Sequence, residues 1–249
     1  MSPSAPKPVP PKYPVLNVGN SGANVLRLQQ LLAMEGYLPL VWHSKNTGRV
    51  SSDALSTLQL PPDGTWTWRY SNVPSWVRPQ WKPGSYTVLV QGAVMTYQQA
   101  HHLPVDGVAG PQVWTSLLAN AGKSQNPYGL TYVQVTLKQP QTLTVWWNGK
   151  QVLQTLVNTG IPQSPTVAGT YAVYLQFSSQ RMSGTDPWGH HYDDPGVPYV
   201  SYFYKGEAIH GFVRAHYGYP QSLGCVELPV NNAKVAWTYI HYGTLVHLQ

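Results

Sequence analysis

The chain contains one cysteine, Cys225, in the run Ser222-Leu223-Gly224-Cys225-Val226-Glu227-Leu228, downstream of Ala208-Ile209-His210-Gly211. A lone cysteine is ordinarily a small buried hydrophobe. Three features argue for a nucleophile instead. Gly224 lets the backbone approach a ligand closely and frees neighbouring N–H groups to face an oxyanion. His210 ends an apolar run that reads as a strand, where an imidazole is held firmly. The loop between them, residues 212–221, is long enough to bring the two side chains together. A thiol of ordinary pKa, ~8.5, is mostly protonated at neutral pH, so a partner imidazole is what makes it react. His216 competes as base but lies mid-loop with no glycine after it.

One cysteine excludes an intramolecular disulfide and an all-thiolate zinc site. His101-His102, His190-His191, His216, His241 and His247 raise the question of zinc, and His190-His191 with Asp193-Asp194 is the best such cluster. Adjacent residues on a strand point to opposite faces, so these pairs seldom share an ion, and no metal or cofactor is expected. The stretch 182–195 reads as a long loop flanking the site. Its Trp188 and Tyr192 are candidate substrate contacts or loop anchors. Ser222, Tyr202 and Glu227 are further candidate contacts.

The elements that must position these groups follow from periodicity. Val25, Leu28 and Leu32 share a helical stripe after Gly22, with Gly36 at the expected C-terminal cap. Residues 86–101 place Val90, Val94 and Tyr97 on a second stripe. A third helix opens at Gly110-Pro111 and carries Val113, Trp114, Leu117 and Leu118. Residues 42–84 interrupt this pattern without a clear assignment, apart from a short helix near 51–58. From about residue 130 the period becomes two. Val133, Val135 and Leu137 alternate with polar neighbours, and Asn148-Gly149 between two apolar runs predicts a tight hairpin with Val145 opposite Val152. Residues 171–177 alternate again, 198–204 and 207–210 read as strands, and Asn231 or Asn232 is the expected cap of a helix through Ile240. A strand at 244–248 follows Gly243.

The 249 residues suit two modest domains, divided at 123–129. Charged residues are 10% and apolar residues 42%, which excludes a disordered polyelectrolyte. No apolar run approaches the ~18 residues of a membrane span. Fifteen Lys+Arg against nine Asp+Glu give a net charge of +6, which suits an anionic surrounding or merely a soluble basic surface. The basic residues are scattered, and nucleic acid is not expected as a partner. Ten Trp and 17 Tyr against three Phe suit wet binding surfaces as well as cores. Residues 1–14 are a Pro-rich lead with no signal peptide visible.

His-Gly, a loop, and Ser-x-Gly-Cys-Val-x-Leu resemble the signature of the L,D-transpeptidase (YkuD-type) catalytic domain over about residues 130–249. The run from Gly160-Ile161-Pro162 to Gly169-Thr170-Tyr171 is similar to that family's approach to its site. The resemblance implies Cys225 as acyl-accepting nucleophile, His210 as base, and Gly211 as the residue whose carbonyl orients His210. It implies an oxyanion hole from the N–H groups of Leu223, Gly224 and Cys225. Two departures stand out: family members commonly have His where Leu223 stands, and Arg or Asn where Glu227 stands. Further upstream, Leu16-x-x-Gly19, Gly22-x-x-Val25-x-x-Leu28-Gln29-x-x-Leu32, Ala93-Val94-x-x-Tyr97-Gln98 and Leu103-Pro104-Val105-Asp106-Gly107 resemble the three-helix peptidoglycan-binding domain, over 15–122 with an insertion at 42–84.

The expected fold is α+β: a small three-helix N-terminal bundle and a mostly β, sandwich-like catalytic domain with a C-terminal helix. The expected function is 3→3 cross-linking of peptidoglycan stem peptides through a thioester. An L,D-carboxypeptidase using the same Cys/His pair, a zinc-dependent wall peptidase and a non-catalytic wall-binding protein are the alternatives. The polymer lies outside the cytoplasmic membrane, so an exported monomer is expected, with its leader missing from this chain.

Overall fold

The computed structural model describes residues 13–45, 54–120 and 122–249; most of the Pro-rich lead lies outside the described residues. Helices dominate the N-terminal region and strands the rest. Among the described residues four α-helices, α1 (Ala23–Met34), α2 (Ala54–Gln59), α3 (Val88–Ala100) and α4 (Pro111–Asn120), precede residue 130. The apolar stripes predicted for α1, α3 and α4 meet in one core, where Val25, Leu28, Leu32, Val90, Val94, Tyr97, Trp114 and Leu117 are fully buried. Leu118 packs only at its edge.

Within the unassigned stretch 42–84 the described residues are structured; the short helix expected near 51–58 is found as α2 from Ala54, while residues 51–53 lie outside the described residues. Strands β1 (Leu40–Ser44) and β2 (Gly64–Trp68) form an antiparallel pair, and a 3-10 turn covers Ser75–Gln80. This insertion caps the polar flank of α1. Gln29 Nε2 donates to the carbonyls of Lys82 and Ser85, and Gln30 Nε2 donates to that of Pro62. Those bonds explain how two glutamines of an exposed-looking helix face are buried.

The C-terminal region is two packed sheets and a helix. Strands β3 (Thr131–Thr136), β4 (Thr142–Trp147), β5 (Lys150–Leu156), β6 (Gly169–Ala172) and β11 (Leu245–Leu248) form one sheet in the order β5-β4-β3-β11-β6. Strands β7 (Leu175–Thr185), β8 (His191–Tyr204), β9 (Glu207–Gly211) and β10 (Val226–Leu228) form the other, in the order β10-β9-β8-β7. Val133, Val145 and Val246 of the first sheet meet Phe203, Ile209 and Val226 of the second, with Ala233 and Ala236 of α5 (Val230–Trp237) closing the core.

Four local expectations are corrected. The Asn148-Gly149 hairpin forms, but Val145 faces Leu153 because the register shifts after it, so Val152 is not its partner. The alternating run 171–177 is two strands in different sheets: Val173 N–H donates to Thr244 and Tyr174 N–H to Tyr202, so the chain changes layers there. Residues 182–195 are mainly the paired arms of the β7–β8 hairpin, with a turn near Asp186–His190. Their polar residues on both faces conceal the strand alternation. Helix α5 starts at Val230 after Pro229, while Asn232 Nδ2 donates to Thr155 Oγ1 at 2.6 Å instead of capping.

The two regions share apolar packing. Leu130, Tyr132, Ala172 and Leu245 join the core of the helical region. Trp76 of the insertion stacks on His247 of β11, with ring centroids 4.8 Å apart at 14°. Backbones nearly touch where α3 crosses the last turn, because a methyl built on Gly243 would sit 2.0 Å from the Gly92 carbonyl oxygen.

Candidate active site

The site forms on one face of the four-stranded sheet. Strand β10 pairs in parallel with β9, placing Glu227 beside His210 and Leu228 beside Gly211. Side chains alternate along a strand, so Cys225, two residues before Glu227, shares the face of His210 and Ala208. Tyr202 of β8 is the register partner of Ala208 and extends the same face. Parallel neighbours need a crossover of about a dozen residues, and residues 212–225 supply it without a helix.

Several bonds hold that crossover and its approach. Asn158 is fully buried; its Oδ1 accepts from Gly218 N–H at 3.1 Å, and its backbone exchanges bonds with Glu227. Ser222 N–H donates to the Thr159 carbonyl, and Ile161 N–H to that of Ser222. Within the cysteine turn, the carbonyls of Leu223, Gly224 and Cys225 accept from Ser164 Oγ, Thr166 Oγ1 and Ser222 Oγ at 2.9, 2.8 and 2.5 Å. Pinned this way, the turn cannot rotate its carbonyls toward the cysteine. Gly224 adopts φ +116°, a conformation that strains any residue with a side chain, although a methyl there would only touch Glu207 Cγ at 3.4 Å.

A cavity of about 550 Å³ opens on this face, bordered by Cys225, His210, Tyr192, Tyr202, Arg214 and Glu227, among others. Cys225 is half-buried against a cluster of Val197, Val200 and Ala208, with Met182, Tyr202 and Phe212 around it. Burial pushes its thiol up to about 12; the Ala208 backbone opposes this, while the Glu227 and Glu207 carboxylates add to it. His210 is buried, and its Nδ1 lies 3.1 Å from the Gly211 carbonyl oxygen. A carbonyl only accepts, so Nδ1 carries the proton and Nε2 of the neutral ring is the basic atom. Burial lowers the imidazole pKa, against the raising effects of the Gly211 carbonyl and Glu227. Thiol and imidazole are thus both neutral near pH 7. The hydrogen bond of Cys225 Sγ in this arrangement runs to the Gly206 carbonyl oxygen, at 3.9 Å.

The other predicted positions divide. Tyr192 and Tyr202 border the cavity, and Tyr202 Oη donates to Gln180 Oε1 at 2.9 Å. Ser222 is buried; its hydroxyl accepts from Gly224 N–H at 3.2 Å and donates to the Cys225 carbonyl, so it braces the turn. That same bond already occupies the Gly224 amide that had been expected in the oxyanion hole. Trp188 is 60% exposed at the hairpin tip and is not among the cavity's lining residues. His216 is exposed and also lies outside the lining.

Glu227 is buried and committed to a partner that sequence reading missed. Arg214 donates from Nε and Nη2 to its two carboxylate oxygens, both at 2.8 Å, and lies over the Phe212 ring at 4.6 Å. The signal available was the acid itself: a carboxylate placed two residues from a cysteine, inside a sheet, requires a cation nearby.

The proposed zinc cluster does not assemble. Asp193 Oδ1 accepts from Arg181 Nε at 2.6 Å, and the His190 ring meets Asp186 at 3.1 Å. Among the described residues no three His, Cys, Asp or Glu side chains are arranged to hold a metal ion.

Two family models match parts of the chain. Residues 130–248 match the family model of the L,D-transpeptidase catalytic domain, and residues 79–117 match that of a putative peptidoglycan binding domain. Curated proteins give no match. Among solved structures, the L,D-transpeptidase catalytic domain from E. faecium is 28% identical, covering 48% of this chain and 96% of that one with a TM-score of 0.43. L,D-transpeptidase 3 from Mycobacterium tuberculosis is 20% identical over 51% of this chain and 63% of its own, with a TM-score of 0.45. An L,D-transpeptidase from Mycobacterium smegmatis is 20% identical over 48% and 59%, with a TM-score of 0.41. The chain thus spans less than two thirds of either mycobacterial chain. With the helical region before it, this chain joins a match to peptidoglycan-binding domains to a match to the L,D-transpeptidase catalytic family over residues 130–248.

Proposed function

We propose that the chain is a cysteine-dependent L,D-transpeptidase that joins peptidoglycan stem peptides through a thioester. The observation that carries this reading is the common sheet face of Cys225 and His210, both bordering one open cavity. Cys225 Sγ attacks the carbonyl carbon of the donor stem while its proton passes to His210 Nε2. Negative charge develops on the carbonyl oxygen, toward the N–H groups of Leu223 and Cys225. Collapse breaks the C–N bond, the amine of the terminal D-alanine leaves with the proton from His210, and the acyl group remains on sulfur. An amine of a neighbouring stem then attacks the thioester. It yields its proton through His210 to the departing sulfur, and a 3→3 cross-link results.

Tyr192 and Tyr202 flank the reacting groups, and the Glu227–Arg214 pair sets the charge beside His210. On this reading the residues before 123 hold the enzyme on the polymer, 123–129 connect the two parts, and the protein acts as an exported monomer at the cell wall.

Intact-mass analysis with a carbapenem, followed by incubation with purified tetrapeptide muropeptides, tests the proposal. One covalent adduct on the wild type, none on Cys225→Ala, and a cross-linked dimer are expected. Absence of the wild-type adduct overturns the nucleophile, and release of D-alanine without dimer overturns transpeptidation in favour of hydrolysis.

A further inference from the structure

A second cavity, of about 390 Å³, lies where the two regions meet and is separate from the cysteine face. It is composite: Gln99 comes from the end of α3, Tyr128 from the connecting segment, Trp147 from β4, Gln176 from β7, and Trp237 with Tyr239 from the end of α5. Gln99 is the contribution of the helical region, and the other lining residues lie at 127 or beyond.

Its lining carries no Asp, Glu, Lys or Arg, so it suits a neutral ligand. Half-buried aromatic rings supply flat faces. Trp147 and Tyr239 stand 5.7 Å apart at 51°, and Tyr128 stacks on His241 at 5.1 Å.

Polar groups remain between those rings. Gln99 Oε1 accepts from Tyr242 N–H, which leaves its NH2 as a donor. Gln176 Nε2 donates to Ser201 Oγ and the Ile240 carbonyl, which leaves Oε1 as an acceptor. His241 is 7% exposed, and its Nδ1 donates to the Tyr242 carbonyl at 2.8 Å. Its ring also faces the Gly129 backbone, and Nε2 is enclosed by protein, so His241 supplies a wall of the cavity rather than a polar contact. The remaining donor of Gln99 and acceptor of Gln176, set between aromatic rings, are thus the groups that meet a hydrogen-bonding ligand. Burial holds the imidazole down to about 4, so the site stays uncharged across the neutral range.

A ligand must then be neutral, offer an apolar face to indole and phenol rings, and carry hydroxyl and amide groups at its edge. An N-acetylated sugar ring has that chemistry, with axial C–H bonds on one face and hydroxyls and an acetamide around the rim. We propose that this junction cavity binds an N-acetylated saccharide segment, the glycan strand of the same polymer whose stems reach Cys225. The identity of the polymer rests on the function proposed above; the neutral saccharide chemistry does not. Bound there, the glycan bridges the helical and sheet-rich regions.

Isothermal titration calorimetry of the full chain with the tetrasaccharide of N-acetylglucosamine, and separately with a sugar-free stem tetrapeptide, is the test. Saturable saccharide binding is expected for the wild type and for Cys225→Ala, with affinity at least tenfold weaker in Trp237→Ala and in Gln99→Ala. Gln99 is a half-buried side chain at a helix end, so its variant keeps the test valid if Trp237→Ala unfolds. No saturation by the wild type, binding equal in both variants, or binding of the tetrapeptide alone would overturn the inference. A carbapenem adduct without saccharide binding overturns this site only, whereas saccharide binding without an adduct overturns the enzymatic reading only.

Discussion

Arg214 grips Glu227 through two parallel hydrogen bonds of 2.8 Å, and Glu227 is the cross-strand partner of His210. The carboxylate is buried while the guanidinium is 30% exposed, so the two partners are not equivalent. Removing Arg214 strands a buried charge, whereas removing the charge of Glu227 leaves a cation that can reach water. Arg214→Ala should destabilise the fold by about 2 kcal/mol, less than the roughly 3–5 kcal/mol of a fully buried pair, and Glu227→Gln by about 1 kcal/mol. Urea unfolding of the two variants measures this order; equal losses would contradict it.

Neutral thiol and neutral imidazole predict a distinctive alkylation profile. Because the Cys225 thiol is pushed up to about 12, the thiolate is scarce at pH 8.5, where an ordinary cysteine is about half ionised. Iodoacetamide labelling, followed by mass, should keep rising through pH 9 without a plateau. His210→Ala should leave the labelling at high pH nearly intact while lowering acyl transfer by about 10²–10⁴-fold. A plateau near pH 7 would mean a standing ion pair.

Gly224 holds φ +116° with Glu207 Cγ 3.4 Å from where a methyl would be. Gly224→Ala should cost about 1–3 kcal/mol in strain and displace the Cys225 amide. A drop of more than tenfold in the carbapenem acylation rate is expected, with little change in far-UV circular dichroism.

The junction between the regions is tested at Gly243, whose methyl would lie 2.0 Å from the Gly92 carbonyl oxygen. Gly243→Ala forces α3 away from the last turn. A loss of about 3 kcal/mol, or a melting temperature roughly 6–12 °C lower, is the expected outcome in calorimetry.

Glu35 gives the stability a pH dependence. Its side chain is fully buried; Oε2 accepts from Ser124 Oγ at 3.0 Å, and Oε1 has no hydrogen-bond partner. Burial raises its pKa from the ordinary 4.5 to about 7, with hydrogen bonds from Ser124 and the Gly122 backbone opposing. Between those values the folded state holds the proton more tightly than the unfolded chain does. Its stabilising contribution is therefore complete below pH 4.5 and is lost as pH rises toward 7, by up to about 3 kcal/mol. In Glu35→Gln this slope should vanish, so that the variant exceeds the wild type at pH 8 in denaturant unfolding.

Residues close in sequence made much of this molecule readable. The stripes of Val25, Leu28 and Leu32, of Val90, Val94 and Tyr97, and of Trp114 and Leu117 each repeat with the helical period, and all are buried together. The Asn148-Gly149 turn, the strands around Val133 and Ile209, and the His-Gly to Gly-Cys motif are local patterns too. The hairpin 175–204 was obscured because its solvent-exposed arms carry polar residues on both faces, which removes the alternation that marks a strand. The insertion 42–84 was obscured because its burial comes from Gln29, Gln30 and Trp76 meeting distant partners.

By itself the sequence determined the three apolar helices, the Asn148-Gly149 turn, several strands and which residue types stand in the Cys225 motif, since turn geometry, helical period and strand alternation act over a few bonds. Tertiary structure alone decided that Glu227 belongs to Arg214, that Ser222 braces the turn, that the thiol is held protonated, and that an aromatic cavity opens at the junction. Those outcomes depend on burial and on pairings between segments far apart in the chain, and the energy of a charge or a polar atom is set by what surrounds it after folding.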